Sequence, residues 1–157
     1  MLPTRLSFTS SFVRVERAGL KQVKCLPSSL TKHFKVMILA DTAFGSIEFL
    51  HGIRKLKYHA IVGVRVDRKL VDGRTLRHLH KRGQQVWFVG LNFPVTVSWY
   101  YLKRDDGKLE KRFVLSTKSL KASTINWWGK RRWQIEGWFK TAYCTALGYI
   151  ASGKGHF

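Results

Sequence analysis

The chain has 157 residues, of which 45% are hydrophobic, so it is long and apolar enough for one domain with a core and does not have a disordered composition. Its 29 Lys and Arg residues outnumber 9 Asp and Glu residues, which gives a formal net charge of +20. Such a surface attracts polyanions, so nucleic acid is the expected partner, with a ribosome-like or membrane-surface binder as the alternative. No apolar run approaches the ~18 residues that a membrane span requires.

The cysteines and histidines show no metal-binding or disulfide pattern. Cys25 and Cys144 are far apart and fit neither a disulfide framework nor a zinc site, which suits a reducing cytosol. The "HLH" pair, His78 and His80, lies among arginines and lysines without a second histidine pair or a cysteine nearby. We interpret it as part of a solvated basic helix. The N-terminus is interrupted by arginines and does not resemble a secretory signal.

The first half of the chain predicts a strand–turn–helix unit. Residues 1–27 have no clear hydrophobic period and remain unassigned, and "PSSLTKHF" predicts a short loop. "KVMILAD" is a continuous apolar run of strand length that ends on Asp41, and "TAFGSIEFLHGIRKL" follows with helical spacing. Asp41 is therefore expected at the carboxyl end of a buried strand, where open α/β sheets bind their ligands.

The second half predicts another strand, a β-meander and a long helix. "AIVGVRV" (60–66) is a second buried strand, and residues 67–83 predict a turn followed by a basic helix or loop. Three β-rich runs follow, "QQVWFVGLN", "VTVSWYYLKR" and "LEKRFVLST", and Asp106-Gly107 predicts a hairpin between the last two. A helix is expected beyond Ser119, with Ser123 as its N-cap.

The C-terminal stretch "GKRRWQIEGWFKT" places one acid among many cations. On a helix, Arg132, Glu136 and Lys140 share one face because they are spaced by four residues. An apolar stripe about a quarter turn away is expected to face the core: Trp128, Ile135, Phe139, Ala142 and Ala146. We interpret the neighbouring tryptophans as packing residues rather than as platforms on which bases stack.

Helix geometry leaves two interpretations of Glu136 open. It is either an ordinary helix acid paired with cations one turn away, or a metal ligand together with Asp41. Carboxylates are the ligands that Mg²⁺ prefers, and two such ions activate a water or a 3′-hydroxyl for phosphodiester chemistry. In that case nearby cations would hold DNA phosphates: Lys130, Arg131, Arg132 and Lys140. Composition and spacing do not choose between the two interpretations.

Two blocks resemble a known family. "VMILADTAFGSIEFL" and "GKRRWQIEGWFKT" resemble the second-Asp and Glu blocks of DDE transposases from bacterial insertion sequences, in the IS-four-like group, and the β-rich residues between them resemble that group's insertion. The resemblance implies a partial RNase H-like α/β domain over 28–142, with the insertion at about 84–117. It also implies DNA recombination in a bacterial cytoplasm, in association with the nucleoid.

The resemblance also implies a catalytic site. Asp41 matches the second catalytic Asp and Glu136 matches the Glu, both as ligands of Mg²⁺ in DNA strand cleavage and transfer at transposon ends. The group's Glu helix carries a Tyr, Arg, Glu, Lys signature, of which Arg132 matches the Arg. Gly129 and Tyr143 stand at the Tyr and Lys positions, so those two roles are not carried over.

The first catalytic Asp of the family has no match in this sequence. Glu16 is the only acid before Asp41. We therefore expect an N-terminally truncated fragment that does not transpose DNA alone. One alternative is a catalytically dead DNA-binding module or inhibitor that acts at transposon ends or on full-length transposase. The other is a chain without function, since loss of the early strands exposes a sheet edge and favours aggregation.

The tail also departs from the family, which continues with a segment resembling H-R-F-G-L-H-R-F-G-Q-G-T. Here the residues after 142 read "YCTALGYIASGKGHF". The degenerate codons of this tail, read from their third base, can spell L-H-R-F-G-L-H-R-F-G-Q-G-T-L. We therefore expect a frameshift near Ala142 or Tyr143 and an out-of-frame tail over 143–157. A nucleotide sequence whose shifted frame does not encode that string would exclude the frameshift.

Overall fold

The computed structural model describes residues 17–132 and residue 134. Its helices and strands, in chain order, are α1 (17–24), α2 (Ser28–His33), β1 (Met37–Ala40), α3 (Ile47–Lys55), β2 (His59–Val64), β3 (Gln84–Val86), β4 (Val95–Lys103), β5 (Leu109–Ser116) and α4, described over 122–132. Short 3-10 helices span Thr42–Phe44 and Leu76–His78. In the part of the chain described, no helix has both the length and the apolarity of a membrane span.

The strands form one mixed five-stranded sheet in the order β1-β2-β5-β4-β3. Strands β1 and β2 are parallel because α3 connects them as a crossover, and the remaining neighbours are antiparallel. The predicted α/β class is therefore confirmed, and the sheet and helices are consistent with a partial RNase H-like transposase domain.

Helices pack on both faces of the sheet. Helix α3 buries Phe49, Leu50 and Ile53 in the larger core, which also contains alternate residues of the strands such as Val62 and Leu115. The intervening strand residues point to the other face. There α4 contributes a second core, formed by Ile61, Tyr100, Val114 and Ile125. The central sheet is thus sandwiched between α3 and α4.

The turn after β1 is held in place by a side-chain cap and by a close backbone approach. The single helix predicted after Asp41 is interrupted at Gly45, and α3 begins after Ser46, whose hydroxyl accepts a hydrogen bond from the Phe49 amide at 3.1 Å. A Cβ atom on Gly63 of β2 would lie 2.7 Å from Oγ1 of Thr42. Glycine at this position lets the turn rest directly on β2.

The predicted hairpin between β4 and β5 is confirmed. Lys103 pairs with Leu109, and the Gly107 amide donates to the Arg104 carbonyl at 2.9 Å. Gly107 has a φ of +79°, which glycine adopts without the steric cost of a Cβ atom. The Asp106 carboxylate accepts a hydrogen bond from the Lys108 amide and closes the turn.

Two local predictions were wrong. "PSSLTKHF" contains the helix α2, which buries no residue and therefore leaves no hydrophobic period in the sequence. Its first turn is closed by the carbonyl of Pro27, which accepts from the Leu30 amide at 3.0 Å. Helix α4 begins at 122, and the Ile125 amide donates to the Lys121 carbonyl, so Ser123 lies inside the first turn and is not the N-cap.

Helix α4 approaches the sheet most closely at a glycine. Gly129 is buried, and a Cβ atom there would lie 2.9 Å from Cε1 of Tyr100 and 3.1 Å from Cγ2 of Val114. The Tyr100 hydroxyl donates to the Gly129 carbonyl at 3.3 Å. Gly129 is thus the point at which the helix rests on β4 and β5.

We predict that Gly129→Ala destabilises the protein. Alanine favours a helix by ~1 kcal/mol over glycine, but forcing a methyl group into a packed contact costs about 1–3 kcal/mol. The net loss should reach about 1 kcal/mol in urea denaturation. Lys130→Ala, at an exposed neighbouring position, is the control and should stay within about 0.5 kcal/mol of wild type. A stabilised Gly129→Ala protein would contradict the close packing.

Candidate functional site

Asp41 lies directly after β1, as the sequence predicted, and begins the Thr42–Phe44 turn. Its Oδ1 accepts a hydrogen bond from the Thr42 amide at 2.6 Å. The side chain is about half exposed, at 47% of its full accessible surface. The carboxylate is therefore anchored through one oxygen while water reaches the group.

Helix α4 brings Arg132 to this carboxylate. The Arg132 Nη2 atom lies 3.2 Å from Oδ1 of Asp41, and the Arg132 side chain is only 12% exposed. A buried guanidinium is costly unless an anion and hydrogen bonds compensate it. Asp41 supplies that charge, so the ion pair joins the end of β1 to the last described turn of α4.

The buried line of α4 runs through Arg132 itself. Ile125 and Gly129 are buried, Arg132 is nearly so, and Trp128 is half buried. Of the predicted apolar stripe, the described residues include only Trp128, which packs against the second core; its other four members lie outside them. Arg132 also comes close to the sheet, because Gly129 has no side chain and Asp41 supplies the charge that a buried arginine needs.

A cleft of about 320 Å³ opens beside the ion pair, between the end of β2, residues 110–114 of β5, and α4. The residues that line it include five cations and two acids: Arg65, Arg77, Lys111, Arg112, Arg132, Asp67 and Glu110. The two acids are each bound to an arginine two residues away, Asp67 to Arg65 and Glu110 to Arg112, both at 2.9 Å. The cleft therefore carries excess positive charge.

The surroundings of two lining residues, Asp67 and Lys111, shift the pKa values of their side chains. The Arg65 side chain, which hydrogen-bonds to Asp67, holds the pKa of that carboxyl below its usual value. Partial burial lowers the pKa of Lys111, and the like charge of Arg82 lowers it further. The Lys111 ammonium also lies 4.2 Å from the centre of the Trp99 ring, which belongs to the larger core on the α3 side of the sheet, so this ammonium points away from the cleft.

The structure brings together only some of the predicted site residues. Asp41 and Arg132 are in contact. Lys130 and Arg131 are exposed on α4, and the Arg131 guanidinium lies 4.1 Å from the centre of the Trp127 ring. Glu136 and Lys140 lie outside the described residues. Trp128 packs against the second core, which agrees with a packing role.

The sequence did not predict the cations that β5 and the segment after β2 contribute to the cleft. Arg65 is the fifth letter of "IVGVR", where a charge directly after an apolar strand marks a strand end. Arg112 is the last of three consecutive charged residues in β5, directly before its four buried residues. These positions carry a local signal, but their convergence with Arg77 depends on the path of the chain between β2 and β3.

The fit of the described residues to a metal ion is poor. Among residues 17–132 and 134, no three His, Cys, Asp or Glu side chains come together in a group that would hold a metal. The Asp41 oxygen that faces α4 is taken by the Thr42 amide and by Arg132. A two-metal centre is therefore not assembled by these residues, and Glu136, the second predicted ligand, lies outside them.

Comparison with protein families matches residues 16–145 to the transposase DDE domain. Because this match covers most of the 157 residues, the chain belongs to the transposase DDE domain family. Members are transposases that act on DNA and generally depend on a divalent metal. No curated protein matches the chain.

We predict that Arg82→Gln raises the pKa of Lys111 towards its usual value of 10.5, because the substitution removes a nearby like charge. Desolvation remains, so the recovery should be partial. A lowered lysine pKa means that the folded state binds fewer protons, so wild-type stability rises with pH between the lowered and the usual pKa. That rise should shrink in the variant.

The pKa of Lys111 is measured by NMR titration of labelled lysine side chains. Arg104→Gln is the control, since Arg104 lies 3.8 Å from Asp106 at the hairpin and does not contribute to the Lys111 shift. An unchanged Lys111 pKa in Arg82→Gln would show that the two cations do not interact.

Proposed function

We propose that this chain is a transposase of the IS-four-like group, from a bacterial insertion sequence, with Asp41 and Glu136 as its second catalytic Asp and its Glu. The contact between Asp41 and Arg132 carries the proposal. It joins the two sequence blocks that resemble the group, although they are far apart in the chain. The carboxyl end of β1 and the arginine of the Glu helix meet there, as a shared catalytic site requires.

The proposed domain spans residues 28–142, with a β-rich insertion at about 84–117 and an out-of-frame tail over 143–157. Strands β3, β4 and β5 fall within the insertion, and they extend the sheet from β2 as an antiparallel meander. The tail boundary is supported by the family-like string that its codons permit in the shifted frame. The proposed location is the bacterial cytoplasm, on nucleoid DNA.

The proposed substrate is DNA at transposon ends, bound through its phosphates. The positive cleft beside Asp41 supports this proposal, as do the exposed cations of α4, Lys130 and Arg131. Arginine forks match phosphate oxygens in geometry and charge, and such contacts hold DNA in register without reading its sequence. Lys140 is proposed as a further phosphate contact.

The proposed catalytic state of this chain is incomplete. This sequence has no aspartate before Asp41, so it supplies two of the three acids that the group uses to hold its metal, for which we propose Mg²⁺. When bound, that metal would activate the attacking oxygen of a phosphodiester reaction. Asp41 is meanwhile neutralised by Arg132. We propose that the chain alone binds DNA and does not cleave or join it.

The alternative proposal is a DNA-binding module or inhibitor that acts at transposon ends or associates with full-length transposase. The cationic cleft favours it, because DNA binding by phosphate contacts needs no third acid. Sequence-specific binding to terminal repeats would separate this role from uniform binding to any duplex.

We predict that DNA binding is steeply salt dependent and uses the cleft. Each phosphate contact contributes about 0.9 to the slope of log affinity against log salt, so Arg77→Gln should reduce that slope by about 1 and weaken binding. Fluorescence anisotropy with a labelled duplex at several salt concentrations measures both.

Lys55→Gln is the matched control for Arg77→Gln, because Lys55 is an exposed cation on α3, across the sheet from α4. Its slope should stay close to that of wild type. An affinity that does not change with salt, or equal losses in the two variants, would exclude the cleft as the DNA site. Metal-dependent strand transfer by the wild-type chain on matching transposon ends would contradict the proposed incomplete site.

A further inference from the structure

Asp41, the carboxylate proposed as a metal ligand, contacts the guanidinium of Arg132. Arg132 Nη2 and the Thr42 amide both approach the same oxygen of Asp41, at 3.2 and 2.6 Å. A divalent cation at that oxygen would stand within a few ångströms of the guanidinium. Like charges at such a separation repel strongly where water is partly excluded. Arg132 and a metal ion therefore compete for one carboxylate.

Arg132 is held in this position by the packing of its helix. It is 12% exposed and lies on the same line of α4 as the buried Ile125 and Gly129. The Gly129 carbonyl accepts a hydrogen bond from Tyr100 on the sheet. Moving the guanidinium away from Asp41 would leave a buried charge with less compensation. The competitor is therefore part of the fold and not a mobile surface side chain.

We propose that Arg132 is an internal competitor of divalent cations at Asp41, so that removal of its charge exposes a metal-binding carboxylate. This inference rests on the proposed assignment of Asp41 as a metal ligand. The positive charge of Arg132 neutralises Asp41 in the metal-free protein and lowers the affinity of Asp41 for a metal ion. In this role Arg132 is a positioning residue, because it acts on the metal through the carboxylate.

The test uses the full chain and Mn²⁺ alone, without DNA. Arg132→Met keeps most of the aliphatic stem of this nearly buried side chain and removes the charge. We expect Arg132→Met to bind Mn²⁺ about tenfold more tightly than wild type, within the range usual for coupled sites. The concentration of free Mn²⁺ is measured from its electron paramagnetic resonance signal. Asp41→Asn in the Arg132→Met background should abolish the gain.

Two further variants serve as controls, one for the loss of net charge and one for a methionine variant that does not fold. Arg131→Met removes an exposed arginine of the same helix, which lies over Trp127, and should leave Mn²⁺ affinity at the wild-type value. Arg132→Lys keeps a cation and tests the proposal if the methionine variant does not fold. A lysine ammonium lacks the guanidinium fork, so its Mn²⁺ affinity should fall between those of wild type and Arg132→Met.

The outcomes distinguish this inference from the proposed function. Equal Mn²⁺ affinity in wild type and both Arg132 variants, lost on Asp41→Asn, overturns the competition and leaves Asp41 as a metal ligand. If neither the wild type nor any of the variants binds Mn²⁺ specifically, both proposals are overturned. A gain in Arg132→Met that survives Asp41→Asn, or that Arg131→Met reproduces, also overturns the competition, because the metal then responds to net charge and not to this carboxylate.

Discussion

The docking of α4 on the sheet is the constraint on which the rest of the site depends. Gly129 lets the helix backbone approach β4 and β5 until a Cβ atom would no longer fit, and Tyr100 bonds to its carbonyl. This close approach lets Arg132, one turn later on the helix, reach Asp41 at the end of β1. The Arg132–Asp41 contact, the wall of the cleft and the proposed metal chemistry all follow from the position of this helix.

Charge is distributed unevenly over this fold. The chain carries a net charge of +20, yet the acids that line the cleft are each used locally by an arginine two residues away. Asp41 differs, because its cation comes from a remote element. The excess positive charge therefore remains available to a polyanion, while Asp41, one of the two carboxylates proposed for chemistry, is already neutralised. This arrangement fits the proposed role of a chain that binds DNA without cleaving or joining it.

Much of the fold was predictable from local patterns, and much of the site was not. The apolar run that ends at Asp41 predicts a strand, and the conformational preference of Gly107 predicts a hairpin. Both are present. Helix α2 buries nothing, so it leaves no period to detect. The burial of Arg132 depends on Asp41 and on the strands that Gly129 approaches, and no window of residues around Arg132 contains either.

The most direct test of this account is a double-mutant cycle on Asp41 and Arg132. The free energies of unfolding of wild type, Asp41→Asn, Arg132→Met and the double variant are measured by urea denaturation. Water screens the half-exposed carboxylate, so a coupling of about 1 kcal/mol is expected, at the upper end for exposed ion pairs. Additive effects, with a coupling below about 0.3 kcal/mol, would show that α4 does not bring Arg132 to Asp41.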